Sequence, residues 1–278
     1  MNTSPYPHLQ QQSAKPVTLS DLAAMKASGE KIASLTAYDA SFAALEDRCG
    51  VDVVLVGDSL GMVVQGRSTT VPVTVDDMVY HSRITAAGLQ RAFLMTDLPF
   101  LSYANKLDAL NNAHRLMAEG DAQMVKIEGG GEIAETIDHL STYGVPVCAH
   151  MGLRPQMVHK LGGFKVQGRD QAAAETMRRD ARALEQAGAD ILLLECVPSA
   201  LAAQITAEAN VPVIGIGAGP DVDGQILVVY DILGLSPGKK PRFVQNFMAG
   251  ADTLDTATAD YVAAVKDRRY PRPEHGFK

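Results

Sequence analysis

The chain has no tryptophan, and aromatic residues of all kinds make up only 5% of its 278 positions. Large rings therefore make up only a small share of its apolar residues. Ala, Val, Leu, Ile and Gly are plentiful instead, the composition of an α/β protein with close helix–strand packing. Cysteine is scarce. Cys49, Cys148 and Cys196 are an odd set without metal-ligand spacing, which argues against a disulfide framework and a thiolate metal centre. Two of them lie in apolar runs and read as small core residues. No apolar run approaches a membrane span, and Met1 to Lys15 is polar, Gln/Pro-rich and without an apolar signal core. Positive charge is in deficit: 25 Lys and Arg face 32 Asp and Glu, a net charge of -7. That argues against nucleic acid or an anionic membrane as a partner. The expectation is a cytoplasmic protein with a flexible start over residues 1–17 and a single domain over 18–278.

What is present is a repeating unit. Short apolar segments begin at Ile32, Val51, Ala92, Met124, Val145, Ile191, Val211 and Ile226, the last running to Tyr230. Stretches with helical spacing separate most of them: Ser41 to Cys49, Val75 to Leu89, Lys106 to Glu119, Ile133 to Tyr143, Gln171 to Ala187 and Ala200 to Ala209. Strands alternating with helices require parallel pairing and right-handed crossovers. Eight such units predict a closed (β/α)8 barrel, a TIM barrel. The competing arrangement is an open doubly wound sheet, but no glycine fingerprint follows the first strand. A helix over Thr18 to Ser28 precedes the barrel, and a mostly helical extension over Phe243 to Lys266 follows it. The tail from Arg268 reads as extended. The longest departures from alternation, Gly61 to Val73 and Met151 to Arg169, are rich in Gly, Pro and Gln, and loops of that length are usually functional.

The stretch Met124-Val125-Lys126-Ile127-Glu128 followed by Gly129, Gly130 and Gly131 is the most informative. Lys126 and Glu128 are two apart, so a strand points them to one face. In such barrels chemistry sits at the C-terminal strand ends. Those ends carry Asp39, Asp58, Ser59, Asp97, Glu128, His150, Glu195 and Asp231. So many acids in one mouth need a compensating cation. Oxygen donors without paired His or Cys favour a hard divalent ion such as Mg²⁺. Asp58, Asp97 and Glu128 end three successive strands and are candidates to share it. Asp39 and Asp231 read better as helix N-caps. Glu195, after four apolar residues, suits a general acid or base. His150 is an additional candidate that serves equally as ligand, acid or core histidine. Gly215 to Gly219 reads equally as a phosphate loop or a close-packed turn.

Taken together, several segments resemble the ketopantoate hydroxymethyltransferase (3-methyl-2-oxobutanoate hydroxymethyltransferase) family. They include Thr36-Ala37-Tyr38-Asp39, Val56-Gly57-Asp58-Ser59, Asp97-Leu98-Pro99-Phe100, Val125-Lys126-Ile127-Glu128-Gly129-Gly130, Gly162 to Gly168, Glu195-Cys196-Val197-Pro198 and Ile214 to Gly219. The resemblance implies a TIM barrel of the phosphoenolpyruvate/pyruvate superfamily type and use of Mg²⁺. It implies transfer of a one-carbon unit from 5,10-methylenetetrahydrofolate to 3-methyl-2-oxobutanoate, on the way to pantothenate, in a homodecamer. By matching motif, Asp58, Asp97 and Glu128 are the expected metal shell, and Asp58, Ser59, Asp97 and Lys126 the 2-oxo acid contacts. Glu195 is the expected proton acceptor. Two other readings stand beside this one: a Mg²⁺-dependent C–C or P–C lyase or mutase of the same superfamily, and a non-catalytic ligand-binding barrel. The Lys-Cys-Gly loop usual in those lyases is missing here.

Overall fold

A computed structural model describes residues 15–236, 238 and 240–278. Eight parallel strands close on themselves in sequence order: β1 (Ile32–Thr36), β2 (Val53–Val56), β3 (Phe93–Asp97), β4 (Met124–Glu128), β5 (Val147–Gly152), β6 (Ile191–Glu195), β7 (Val213–Ile216) and β8 (Gly224–Val228). The barrel closes by pairing Ile32 to Thr36 with Gly224 to Val228. Gly224 permits that seam, because a Cβ there would stand 2.7 Å from the Ile32 carbonyl oxygen.

The helices are α1 (Leu19–Ser28), α2 (Ala40–Arg48), α3 (Leu60–Val63), α4 (Val75–Ala86), α5 (Lys106–Ala118), α6 (Ala134–Thr142), α7 (Val158–Leu161), α8 (Gln171–Gln186), α9 (Ser199–Glu208), α10 (Val229–Ile232) and α11 (Leu254–Lys266). Several starts are written locally. Thr18 and Asp21 form a capping box for α1, Thr74 and Asp77 form one for α4, and Asp39 accepts the Ser41 and Phe42 N–H groups at the head of α2.

Period-two alternation sorts the strand residues into two cores. Outward-facing residues such as Leu35, Val54, Leu94, Val125 and Leu192 pack under the helices. Inward-facing Ile32, Val53, Leu55, Phe93, Met95, Met124, Cys148, Ile191, Leu193, Ile214 and Ile226 fill the barrel, with Leu22 of α1 in the same cluster. The barrel is thus a solid core below its mouth. At its base Asp52, fully buried, accepts from Arg91, Lys266 and the Ala33 N–H at 2.6, 2.6 and 3.0 Å.

Three expectations are corrected. The eighth strand begins two residues earlier than the apolar run and stops at Val228; Val229 and Tyr230 belong to α10. Asp231 therefore lies inside a helical turn, where Val228 is the N-cap. Between Phe243 and Thr253 the chain turns without forming a helix, and only Leu254–Lys266 is helical. Phe243 and Phe247 are buried there, so their apolar spacing reflects burial in irregular structure. The expected flexible start falls mostly outside the described residues; within it, the Val17 N–H donates to the Arg91 carbonyl at 2.8 Å.

Candidate active site

The alternation that fills the barrel also builds its mouth. Above Met95 on the inward face of β3 comes Asp97; above Met124 on β4 come Lys126 and Glu128; above Cys148 on β5 comes His150; above Leu193 on β6 comes Glu195. Strand register sets Asp97 beside Lys126 and Glu128 beside His150. Asp58 and Ser59 arrive just past β2, after Gly57. A Cβ at Gly57 would lie 2.8 Å from Ser59 Oγ and 3.4 Å from Asp97 Oδ2, so this glycine lets both side chains close in.

The resulting network is dense. Lys126 Nζ pairs with Asp97 Oδ1 at 2.6 Å and reaches His150 Nδ1 at 3.3 Å. The Asp58 N–H donates to Asp97 Oδ2 at 2.9 Å. His150 Nδ1 is also 3.3 Å from Glu128 Oε1, and its Nε2 is 3.2 Å from Glu195 Oε2. Ser59 Oγ is 2.9 Å from the Tyr38 hydroxyl. Asp58, Asp97, Lys126, Glu128 and His150 are all buried, whereas the Glu195 side chain keeps 16% of its surface open. Every residue proposed from the sequence for the site, Asp58, Ser59, Asp97, Lys126, Glu128, His150 and Glu195, lies on this one rim. Asp39 and Asp231 do not join it: one caps α2 and the other sits in α10.

Burial and crowding set the charges. Burial, reinforced by Asp97 and Glu128, holds the Asp58 carboxyl well above the usual range. Burial likewise raises Asp97, against the opposing pull of Lys126. Burial pushes Glu128 up to about 7. Burial disfavours the charge on Lys126, but Asp97, Glu128 and Asp58 outweigh it and hold the ammonium above its ordinary value. Burial and the neighbouring Lys126 lower His150, so the ring is neutral near pH 7. An ammonium cannot accept, so Nδ1 accepts from Lys126. That tautomer carries its proton on Nε2, which is 3.2 Å from Glu195 Oε2 but makes no hydrogen bond there.

Two participants follow no motif or period in the sequence. Gln156, in a single 3-10 turn of the long loop after β5, reaches back into the mouth and is 3% exposed. Its Nε2 donates to Asp58 Oδ2 at 2.8 Å and to the Leu98 carbonyl at 3.0 Å, and its backbone N–H donates to Glu128 Oε2 at 3.1 Å. Tyr103, from the β3–α5 loop, donates its hydroxyl to Gln156 Oε1 at 2.6 Å. Loop length was the only hint of Gln156. Gln156 thus bridges Asp58 and Glu128. In this arrangement no three His, Cys, Asp or Glu side chains among the described residues are grouped to hold a metal ion.

The loop after β7 is not an anion cradle. Phe243 and Phe277 fill the space over Gly217, and Ser199 fills that over Gly219. The close-packed turn is the correct reading of Gly215 to Gly219.

The family described as ketopantoate hydroxymethyltransferase matches residues 16–273. The chain belongs to that family. A relative named 3-methyl-2-oxobutanoate hydroxymethyltransferase from Alkalilimnicola ehrlichii is 59% identical over 266 residues, covering 96% of this chain and 96% of its own. One of the same name from Nitrosococcus oceani is 54% identical over 261 residues, covering 94% of this chain and 99% of its own. Among solved structures, phosphonopyruvate hydrolase in complex with oxalate and Mg²⁺ superposes with a TM-score of 0.58 at 15% identity, over 75% of this chain and 79% of that one. A 2,3-dimethylmalate lyase, a member of the PEP mutase/isocitrate lyase superfamily, gives 0.56 at 15% identity, over 78% and 82%. At that identity these two show a shared fold. No helix among the described residues is long and apolar enough to cross a membrane.

Proposed function

We propose that this family member transfers a hydroxymethyl group from 5,10-methylenetetrahydrofolate to 3-methyl-2-oxobutanoate, giving 2-dehydropantoate. It would do so in the cytoplasm, as a homodecamer. The observation that carries this reading is the Glu195 carboxylate: it is the partly open acid of the rim, and its Oε2 lies 3.2 Å from the Nε2 of a buried neutral histidine.

The substrate is a small anion with a ketone next to its carboxylate, and the proton to be removed is on C3, beside that ketone. Lys126, pinned by Asp97, offers a fixed ammonium to the substrate's anionic oxygens, and it needs no rearrangement to do so. The Ser59 hydroxyl, oriented by Tyr38, is a second donor at the same edge. Glu195 takes the C3 proton. His150 Nε2 stands 3.2 Å from one oxygen of the Glu195 carboxylate, and the other oxygen is left for the substrate. Water adds to the opened folate iminium, the N-hydroxymethyl group so formed breaks its C–N bond to give formaldehyde and tetrahydrofolate, and C3 bonds to the formaldehyde carbon, whose oxygen takes up a proton to become the new hydroxyl. The loops after β2 and β5 flank the mouth and suit water exclusion during the first step.

The residues fit a hard divalent cation by their chemistry. Asp58, Asp97 and Glu128 present carboxylate oxygens in a buried mouth where one ammonium faces three acids and the histidine is neutral. These three would hold Mg²⁺ once Asp58 and Glu128 give up their bonds from Gln156 and draw together with Asp97. When bound, such an ion supplies Lewis acidity to the substrate's keto and carboxylate oxygens.

The test is Glu195→Gln. The variant should bind 3-methyl-2-oxobutanoate as the wild type does, yet exchange its C3 proton with deuterated water about 10²–10⁴-fold more slowly by NMR. Exchange at the wild-type rate removes Glu195 from the role of base.

A further inference from the structure

Glu195 ends β6, and only Cys196, Val197 and Pro198 separate it from α9. That connection is constrained. Cys196 has a φ of 50°, a left-handed conformation that a side chain resists. Neighbouring backbone holds it there. The Cys196 N–H donates to Ile216 O at 2.8 Å, Gln167 N–H to Cys196 O at 3.0 Å, and Leu153 N–H to Glu195 O at 2.8 Å.

The far side of the connection is held differently. The N-cap of α9 is Pro198, which has no side-chain acceptor for the first turn. The acceptor comes from a residue almost eighty positions away in sequence: the Phe277 carbonyl takes the Ser199 N–H at 3.0 Å, and Phe277 pairs with Pro198 in a parallel bridge. The Ser199 side chain is wedged between two glycines. A Cβ on Gly219 or Gly276 would stand 2.4 or 2.5 Å from Ser199 Oγ. The Phe277 ring lies over Gly217, and the Arg242 guanidinium sits 5.7 Å from its centre. Upstream, His275 is buried against Tyr270 with ring centres 5.2 Å apart, and its Nδ1 accepts the Arg272 N–H at 3.0 Å.

We infer that Gly276 and Phe277 form a strap that positions the base, locking the Glu195–Ser199 connection so that the carboxylate faces the mouth. Phe277 does not touch the reacting atoms; it is a positioning residue, and the inference rests on Glu195 being the base. Releasing the strap frees Pro198 and the start of α9, so the connection is anchored only at its Glu195–Cys196 end. The Glu195 carboxylate then points to the substrate for a smaller fraction of the time.

The experiment follows C3 proton exchange of 3-methyl-2-oxobutanoate without folate in four proteins: Glu195→Gln, Phe277→Ala, Phe277→Leu and a chain stopped after His275. The stopped chain should lose about ten- to a hundredfold in the maximal exchange rate, with the half-saturating substrate concentration changed by less than about twofold. Phe277→Ala should fall between it and the wild type, and Phe277→Leu should recover most of the rate. A folded stopped chain exchanging at the wild-type rate overturns the strap, as does a loss confined to substrate affinity or accounted for by the unfolded fraction. If the stopped chain does not fold, Phe277→Ala assayed well below its melting temperature decides on the same criteria. Wild-type exchange in Glu195→Gln refutes the base itself. A silent Glu195→Gln beside a fully active stopped chain refutes only the strap.

Discussion

Lys126 is the cation on which the mouth's charge balance depends, and Lys126→Met tests that balance. Its ammonium lies 2.6 Å from Asp97 Oδ1, with both side chains at most 5% exposed. At an effective dielectric constant near 20 that contact is an attraction of about 6 kcal/mol, before the cost of burying both ions is subtracted. Methionine keeps most of the volume and deletes the charge. Removing one partner of a buried pair costs about 3–5 kcal/mol, because the other is left uncompensated. For a chain of this size that is a melting temperature lower by roughly 5–9 °C. The deficit must depend on pH, with a definite sign. Without Lys126, burial raises Asp97 and Glu128 unopposed, and Glu128 already stands at about 7. A carboxyl whose folded pKa is raised keeps its full contribution below its ordinary pKa and loses it as pH climbs through the folded one. The variant should therefore lie close to the wild type near pH 5 and fall well below it near pH 8, by calorimetry or circular dichroism. A deficit independent of pH, or under about 1 kcal/mol at pH 8, would show that Asp97 and Glu128 are not held as buried anions by this lysine.

Other predictions follow from single contacts. Gln156→Leu deprives Asp58, Tyr103 and Leu98 of their partner, and should cost about 1–3 kcal/mol in urea unfolding as well as most of the turnover; unchanged stability would mean that water replaces the amide freely. Glu46 is fully buried on α2 with neither carboxyl oxygen hydrogen-bonded, and burial holds it well above the usual range. Its contribution is lost as pH rises through that value, so Glu46→Met should gain on the wild type as pH increases; parallel melting curves between about pH 6 and 9 would contradict this. If Asp58 helps hold Mg²⁺, the wild type should be stabilised by about 2.7 kcal/mol at a hundredfold excess over the dissociation constant, and Asp58→Asn by far less. An equal Mg²⁺-linked shift in both proteins would place the ion elsewhere.

How legible the chain was depends on which kind of order a residue obeys. The strands showed because an interior without tryptophan is built from β-branched and aliphatic runs, and all eight are found in the closed barrel. Asp97, Lys126, Glu128, His150 and Glu195 were readable because each continues the inward phase of its own strand. Asp58 and Ser59 follow directly on another strand. Gln156 and Tyr103 obey no period. They belong to loops whose course is set by tertiary contacts, and a buried glutamine is indistinguishable in sequence from an exposed one. The end of β8 is hidden in the sequence for a related reason: Val229 and Ile232 are buried, but in a helical turn that keeps the same apolar run going. The stretch after Phe243 failed likewise, since Phe243 and Phe247 bury their rings without helical hydrogen bonds to set a phase.

The mouth is divided in a way the acids alone do not reveal. Charge occupies the edge from β2 to β6. On the opposite side Phe243 and Phe277 cover Gly217, Ser199 covers Gly219, and Tyr230 stacks on Tyr38 at 5.7 Å. A small anion entering the barrel therefore meets donors and acids along one edge and packed rings along the other. Tyr38 belongs to both edges, since its ring faces Tyr230 and its hydroxyl meets Ser59. Tyr38→Phe should for that reason keep the fold and the stacked pair while losing the orientation of Ser59. Its effect should appear in the affinity for the 2-oxo acid, with the rate of C3 exchange at saturation nearly unchanged. If exchange at saturation collapses instead, the hydroxyl pair at Tyr38 and Ser59 acts on the reacting carbon, and the division of labour between binding edge and base is wrong.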